Sequence, residues 1–336
     1  MMSLEEYIPE LLALYPANCR PTEVVALGAA GGFSGACLWQ LSCERGLFCL
    51  RAYPESYSDD ARLTFIAAVL RHARAAGCNL VPVPLATQGG ESFVVRGGRY
   101  WDLSPWMPGI ADFNKNPSCE KLRAAMLALA QFHQAVESFP LHGPRQAVSP
   151  AAVARRKKLR ELTAGGMQQV AARIESGPWP PLRASAARII ALFWRAAADL
   201  RERLASAASQ PVPILPCIRD VWRDSVLFQG TRVTGLIDFA AMQPDTIAVD
   251  VARLLGSLAC NDHEKWGEGL SAYDSARPLG TVERGLIEAF DRSTVVLGSV
   301  NWLKWIYLEG RQFADQKAVL ARVDELLVRF NHLYGP

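Results

Sequence analysis

Residues 217–239 read CIRDVWRDSVLFQGTRVTGLIDF, and the spacing of two acids in this stretch decides how the rest of the chain is read. Asp220 lies in a polar turn, Ser225 to Phe228 is a short apolar strand, Gly230 sits in the following turn, and a second strand runs into Asp238 within Leu-Ile-Asp-Phe. Strand, glycine turn and strand together signal a hairpin. The bland reading is a surface hairpin that happens to carry two acids. The chemical reading is that folding brings both carboxylates to one site. There one faces a hydroxyl, while the other, with a short oxygen ligand five residues after the first, holds a hard cation. Phosphoryl transfer from a nucleotide asks little more of a protein than these parts.

Working outward, the first hundred or so residues alternate strands with one helix. VVALGAAGGFSGACLWQLSC (24–43) reads as strand, glycine turn and strand, and GLFCLRAYP (46–54) as a further strand with Arg51 near its end. A helix fits about 59–76, with Leu63, Ile66, Leu70 and Ala73 on one face, an acidic start and Gly77 as its stop. NLVPVPLAT (79–87) is held extended by its prolines, and SFVVRGGRYWDLSPW (92–106) is a hairpin around Gly97-Gly98. Beyond Met107-Pro108-Gly109 the chain turns to Ala, Leu and Arg at helical spacing. Leu122, Met126, Leu129, Ala130 and His133 make one stripe, and further helices fit 151–174, 184–206, 249–259, 281–308 and 315–333. The expected architecture is α+β: a small antiparallel-sheet lobe with one helix over 1–107, then a larger, mainly helical lobe over 108–336.

The opening segment resembles the catalytic region of the aminoglycoside phosphotransferase-like family, relatives of protein kinases that phosphorylate small molecules. The resemblance extends over most of the chain and implies a bilobal protein-kinase-like fold. It makes Asp220 the catalytic aspartate and Asp238 the Mg²⁺-binding aspartate, with Ser225 at the family's Asn position as a further metal ligand. GAAGGFSGA (28–36) resembles the turn that covers the phosphates, which points to Gly28, Gly31, Gly32 and Ser34. Arg51 matches the strand lysine that touches the phosphates. SPWMPGIADF (104–113) resembles the connection between lobes, whose backbone at Trp106 and Met107 would pair with adenine. Asp250, in VDVARLLGSL, resembles the aspartate opening the next helix, where an N-cap role is expected, and His133 is expected to pack. The implied cofactors are ATP and Mg²⁺, the implied partner a small molecule bearing a hydroxyl.

The departures bear on the same site. Ile218 and Arg219 replace the family's His-Gly, and Arg51 exchanges a compact ammonium for a broad guanidinium. The 59–76 helix has Thr64, Phe65 and Ile66 where a glutamate normally pairs with the strand cation, and no replacement is legible. Two readings therefore stand: an active small-molecule kinase, or a nucleotide-binding pseudoenzyme or regulator without turnover.

Composition narrows the partners. The chain has 336 residues, half of them apolar, and a formal charge of +3. That balance argues against nucleic acid as a partner. RRKKLR (155–160) is the one charge run and reads as a solvated helix face. No stretch approaches the roughly 18 apolar residues of a membrane span, and the acidic start MMSLEEYIPELLALYP lacks the pattern of a signal peptide. Eight scattered cysteines without Cys-x-x-Cys pairs read as free thiols in a reducing cytoplasm. NDHEKWGEG (261–269) interleaves its acids with Lys265 and His263, a poor trap for a polycation. Trp302, Trp305 and Glu309 fall at helical spacing and read as a helix face rather than an amine-binding cage. The acceptor and the oligomeric state are not legible.

Overall fold

The computed structural model of the chain describes residues 3–28, 35–57, 59–175, 177, 179–313 and 315–336. In chain order its elements are α1 (Ile8–Leu12), β1 (Pro21–Gly28), β2 (Cys37–Cys43), β3 (Gly46–Ala52), α2 (Asp60–Ala75), β4 (Val94–Arg96), β5 (Arg99–Pro105), α3 (Cys119–Val136), β6 (Gln146–Val148), α4 (Pro150–Glu161), α5 (Met167–Ile174), α6 (Arg183–Ala207), β7 (Pro211–Pro213), β8 (Leu215–Cys217), β9 (Val226–Gln229), β10 (Arg232–Leu236), β11 (Gln243–Asp245), α7 (Ala248–Ala259), α8 (His263–Ala276), α9 (Thr281–Leu303) and α10 (Gln316–Tyr334). They divide into two compact units, Met1–Phe139 with Arg223–Gln243, and Pro140–Trp222 with Pro244–Pro336.

The first unit is built on a five-stranded antiparallel sheet in the order β1-β2-β3-β5-β4. Side chains alternate across a sheet. Trp39, Leu41, Phe48, Leu50, Trp101 and Leu103 therefore share one face and pack with Leu11, Leu12 and Tyr15 into an apolar core. The intervening residues, Arg51 on β3 and Asp102 on β5, are register partners on the other face. Helix α2 starts on Asp59, whose side chain accepts from the Arg62 N–H at 2.9 Å, and stops before Gly77 at φ +93°. The prolines of 79–87 leave that segment outside the sheet, although Leu85 donates its N–H to the Leu103 carbonyl.

The hairpin β9–β10 belongs to this first unit. Ile110 and Phe228 exchange backbone hydrogen bonds at 2.9 and 3.0 Å, and the Thr234 hydroxyl donates to the Pro108 carbonyl. Gly109 makes this approach possible. It sits at φ +101°, and a Cβ there would lie 2.7 Å from the Phe228 carbonyl oxygen.

The second unit is helical, with α9 packed against α6, α7 and α10. Its helices carry the caps their sequences advertise: Ser149 for α4, Asp262 for α8 and Asp315 for α10. Three sequence expectations need correction here. The helix expected over 151–174 is broken between α4 and α5, where Gly165 takes φ +133°. The one expected over 281–308 ends its regular turns at Leu303 and continues as a wider turn to Leu308. Helix α8 went unread because it buries little beyond Gly269 and Tyr273, leaving no apolar stripe.

Candidate active site

Of the residues expected to meet a nucleotide, Gly28 ends β1 at φ +59° with open space where a Cβ would project. Gly31, Gly32 and Ser34 lie outside the described residues. Trp106 donates its N–H to the Leu47 carbonyl at 2.9 Å. Met107, its side chain buried, has no hydrogen-bond partner for its N–H or carbonyl among the described residues.

Arg51 is the centre of a network of charges and rings in this unit. Its guanidinium lies 5.6 Å from the centroid of the Tyr53 ring, two residues along the same strand face. The Tyr53 hydroxyl donates to Asp102 Oδ2 at 2.7 Å, and the Asp102 carboxylate is buried. Burial pulls the Arg51 pKa down, but Tyr53, Asp102 and Asp238 outweigh it and the cation is held above its ordinary value. Burial pushes the Asp102 carboxyl up, opposed by Arg51 and by the Tyr53 hydrogen bond. Asp102 is not legible as a partner of Arg51 from sequence, where it is a lone acid between Trp101 and Leu103.

Arg51 Nη1 also stands 3.9 Å from Asp238 Oδ1, so two predicted site residues do meet. Asp238 follows the last strand of the hairpin in a left-handed conformation, φ +68°, and its side chain is 57% exposed. The Ile237 N–H donates to the Ser225 carbonyl at 2.9 Å, closing the open end of the hairpin one residue before Asp238. Ser225 itself is buried. An exposed carboxylate fits Mg²⁺, which usually takes one or two protein carboxylates and completes its shell with phosphate and water.

In the second unit Asp220 accepts a hydrogen bond at Oδ1 from Arg253 Nε at 3.0 Å, and Arg253 Nη2 stands 2.9 Å from the same oxygen as an ion pair. Arg253 comes from α7 and lies 5.9 Å from the Trp222 ring centroid, which Arg322 approaches at 4.8 Å. The loop is held from beneath. Arg219 has φ +69°, a conformation that costs a residue with a Cβ roughly 1–3 kcal/mol. The buried Asp250 carboxylate accepts the Ile218 N–H at 2.7 Å and the Arg219 N–H at 2.6 Å. The N-cap expectation for Asp250 is thus corrected: the cap position of α7 is Ile247, and Asp250 turns toward the loop. A second buried acid, Asp245, accepts from the Ser149 hydroxyl and the Ala151 N–H, and Arg219 Nε approaches it at 3.7 Å.

Other candidates resolve as structure. His133 is fully buried in α3. Asp262 caps α8 and pairs with Lys265 at 2.8 Å. Trp302 is buried against Trp305, with ring centroids 5.1 Å apart. The charge run 155–160 splits: Arg156, Lys157 and Arg160 are exposed, but Arg155 and Lys158 are half-buried against α9, which corrects the reading of the run as a wholly solvated face.

Comparison with known proteins bears on this arrangement. Residues 27–286 match the Phosphotransferase enzyme family. A homoserine kinase of Rhodopseudomonas palustris is 27% identical over 280 residues, spanning 78% of this chain and 75% of the relative. Among solved structures, a microcompartment-associated aminopropanol kinase superposes with a TM-score of 0.66 at 14% identity, covering 98% of each chain. A spectinomycin phosphotransferase in complex with ADP and spectinomycin gives 0.65 at 16% identity, covering 100% of this chain and 95% of that one. These likenesses show a shared protein-kinase-like fold: an antiparallel sheet near the N-terminus and a mostly helical remainder.

Proposed function

The chain belongs to the phosphotransferase enzyme family, whose members act on hydroxyl groups of small molecules, and from that premise we infer that Asp220 accepts or orients the acceptor's hydroxyl proton while Asp238 holds Mg²⁺. The observation that carries this reading is the pairing of Arg51 with Asp238. A cation whose charge is reinforced by buried neighbours faces an exposed carboxylate at the end of a hairpin.

The remaining roles follow from the residues present. The Met107 backbone edge receives the adenine ring, and Arg51 takes the phosphates. Asp102, fixed by the Tyr53 hydroxyl, supplies the counter-charge that α2 does not. Bound Mg²⁺ would neutralise charge on the phosphates during transfer. Ser225 is the second oxygen donor toward that ion. Arg253 holds the Asp220 carboxylate in place before the acceptor arrives. The acceptor to test first is homoserine, the substrate in the relatives' name. The eight cysteines are all free thiols, in keeping with a cytoplasmic setting, and no described helix is long and apolar enough to cross a membrane.

The test is ATP binding by calorimetry, with and without Mg²⁺, on the wild type and Asp238→Ala, followed by turnover in Asp220→Ala. Mg²⁺-dependent binding is expected in the wild type and not in Asp238→Ala. Asp220→Ala is expected to keep ATP affinity and lose turnover by about 10²–10⁴. Metal-independent binding with no turnover would favour the regulator reading instead, and absence of binding would refute both.

A further inference from the structure

In the half-buried part of the basic run the cations bond directly only to neutral oxygens. Arg155 Nη1 donates to the Phe290 carbonyl at 2.7 Å, the Ser293 hydroxyl at 2.6 Å and the Thr294 hydroxyl at 3.1 Å, all on α9. Its guanidinium also lies 4.9 Å from the Phe290 ring centroid. One nitrogen is therefore committed to neutral oxygens. Nε and Nη2, the edge of the guanidinium that forms a two-pronged contact with a carboxylate, have no protein acceptor among the described residues. One helical turn on, Lys158 Nζ donates to the Asn301 side-chain oxygen, another neutral group. Lys304, half-buried one residue beyond α9, makes no side-chain hydrogen bond or ion pair among the described residues.

The acids that act on these cations are engaged elsewhere: Asp245 with the Ser149 hydroxyl and the Ala151 N–H, Glu161 with Lys157 at 4.0 Å, Glu309 with Arg311 at 2.8 Å and Asp291 with Arg329 at 2.9 Å. Burial, with Lys304 and Arg155 as like-charged neighbours, pulls Lys158 down to about 8, against the pull of Glu309 and Glu161. Burial also lowers Arg155 to about 10; Asp245 and Asp291 oppose the shift, and Arg219 and Arg253 add to it. Cations crowded in this way gain most from an anion brought by a ligand. The position is informative too: Arg219, next to Asp220 in the chain, approaches Asp245 at 3.7 Å, and Asp245 accepts the N–H of Ala151, one turn before Arg155 on α4.

We propose that Arg155 and Lys158, with Lys304 adding charge, form a carboxylate subsite that binds the acid group of the phosphoryl acceptor. The acceptor class is a short hydroxy acid, with or without an amino group, rather than a polycationic sugar or a simple amino alcohol. This rests on the phosphotransferase reading of Asp220, and the chemistry at the subsite is binding only.

The test compares three acceptors with the full chain: L-homoserine, 4-hydroxybutanoate, which lacks the amine, and 3-amino-1-propanol, which lacks the carboxylate. The two acids are expected to be phosphorylated with kcat/KM at least about tenfold above the amino alcohol, the scale of one charge-assisted contact. Lys158→Gln is expected to raise KM for both acids about tenfold while KM for ATP and for 3-amino-1-propanol stays unchanged. Equal use of the amino alcohol by the wild type, or unchanged KM for the acids in Lys158→Gln, would overturn the proposal. If none of the three is phosphorylated, calorimetric titration of 4-hydroxybutanoate separates the two ideas. Binding lost in Lys158→Gln would keep the subsite while the kinase reading fails, and no binding to the wild type would remove the subsite itself.

Discussion

Arg51 shows how far a single residue can be understood from the sequence and where that understanding stops. Its place near the end of a strand, ahead of a helix, is legible from pattern, and so is Asp238 in its hairpin. Asp102 is not, because Arg51 and Asp102 are 51 positions apart and become partners only through the β3–β5 register. Local spacing carries no information about such a pairing. If Asp102 supplies the counter-charge, Asp102→Asn keeps the shape and the Tyr53 contact but removes the charge that holds the guanidinium. KM for ATP is expected to rise roughly tenfold, the worth of one charge-assisted contact, with a smaller rise in Tyr53→Phe. Steady-state kinetics beside melting temperatures would check this. A variant with wild-type kinetics would make Asp102 only a buried strand residue.

Among the elements, the long helices were read well because a sustained apolar stripe is a strong signal, as in α2, α3, α6 and α10. Where the signal failed, the cause was local. Gly165 adopts a conformation no periodicity can report, and α8 has no stripe to detect. Asp250 was misread because its position near a helix start is also that of a cap. Its partners, the Ile218 and Arg219 N–H groups, lie more than thirty residues upstream. Asp250→Ala would leave both donors unpaired and release the left-handed Arg219. The expected loss is about 2–4 kcal/mol of stability, from two unsatisfied buried groups at roughly 1–3 each with partial relaxation. Turnover should fall further than stability explains, as Asp220 shares the loop. Asp250→Asn, keeping one acceptor, should fall between. Denaturant titration and kcat measured on the same preparations would show both effects.

For the molecule as a whole, the small net charge hides local imbalance. Lys158 loses its proton at about 8 in the folded chain but at its ordinary value of 10.5 when unfolded. Between those values the unfolded state binds more protons, so this group's contribution makes stability rise with pH. Half-buried groups held above their ordinary values, the Cys49 thiol at about 11 and the Tyr57 phenol at about 12, act in the opposite direction once pH passes 9. The clean window is therefore roughly pH 7–9. There Lys158→Met should melt above the wild type at pH 7, and the gap should narrow as pH approaches 9. Calorimetric melts across that range would show it, and a constant gap would contradict the assignment.

The hairpin at 223–243 has a consequence for descent. It belongs to the first unit, although the residues on either side of it belong to the second. Three chain crossings, after positions 139, 222 and 243, divide the units in sequence. A gene cannot exchange either unit with a relative in a single recombination event. A fragment ending at 139 would leave Ile110 and Pro108 without the strand and the hydroxyl they bind. Any change confined to one unit must therefore arise by replacing side chains within its separate segments, because no single stretch of the chain carries either unit whole.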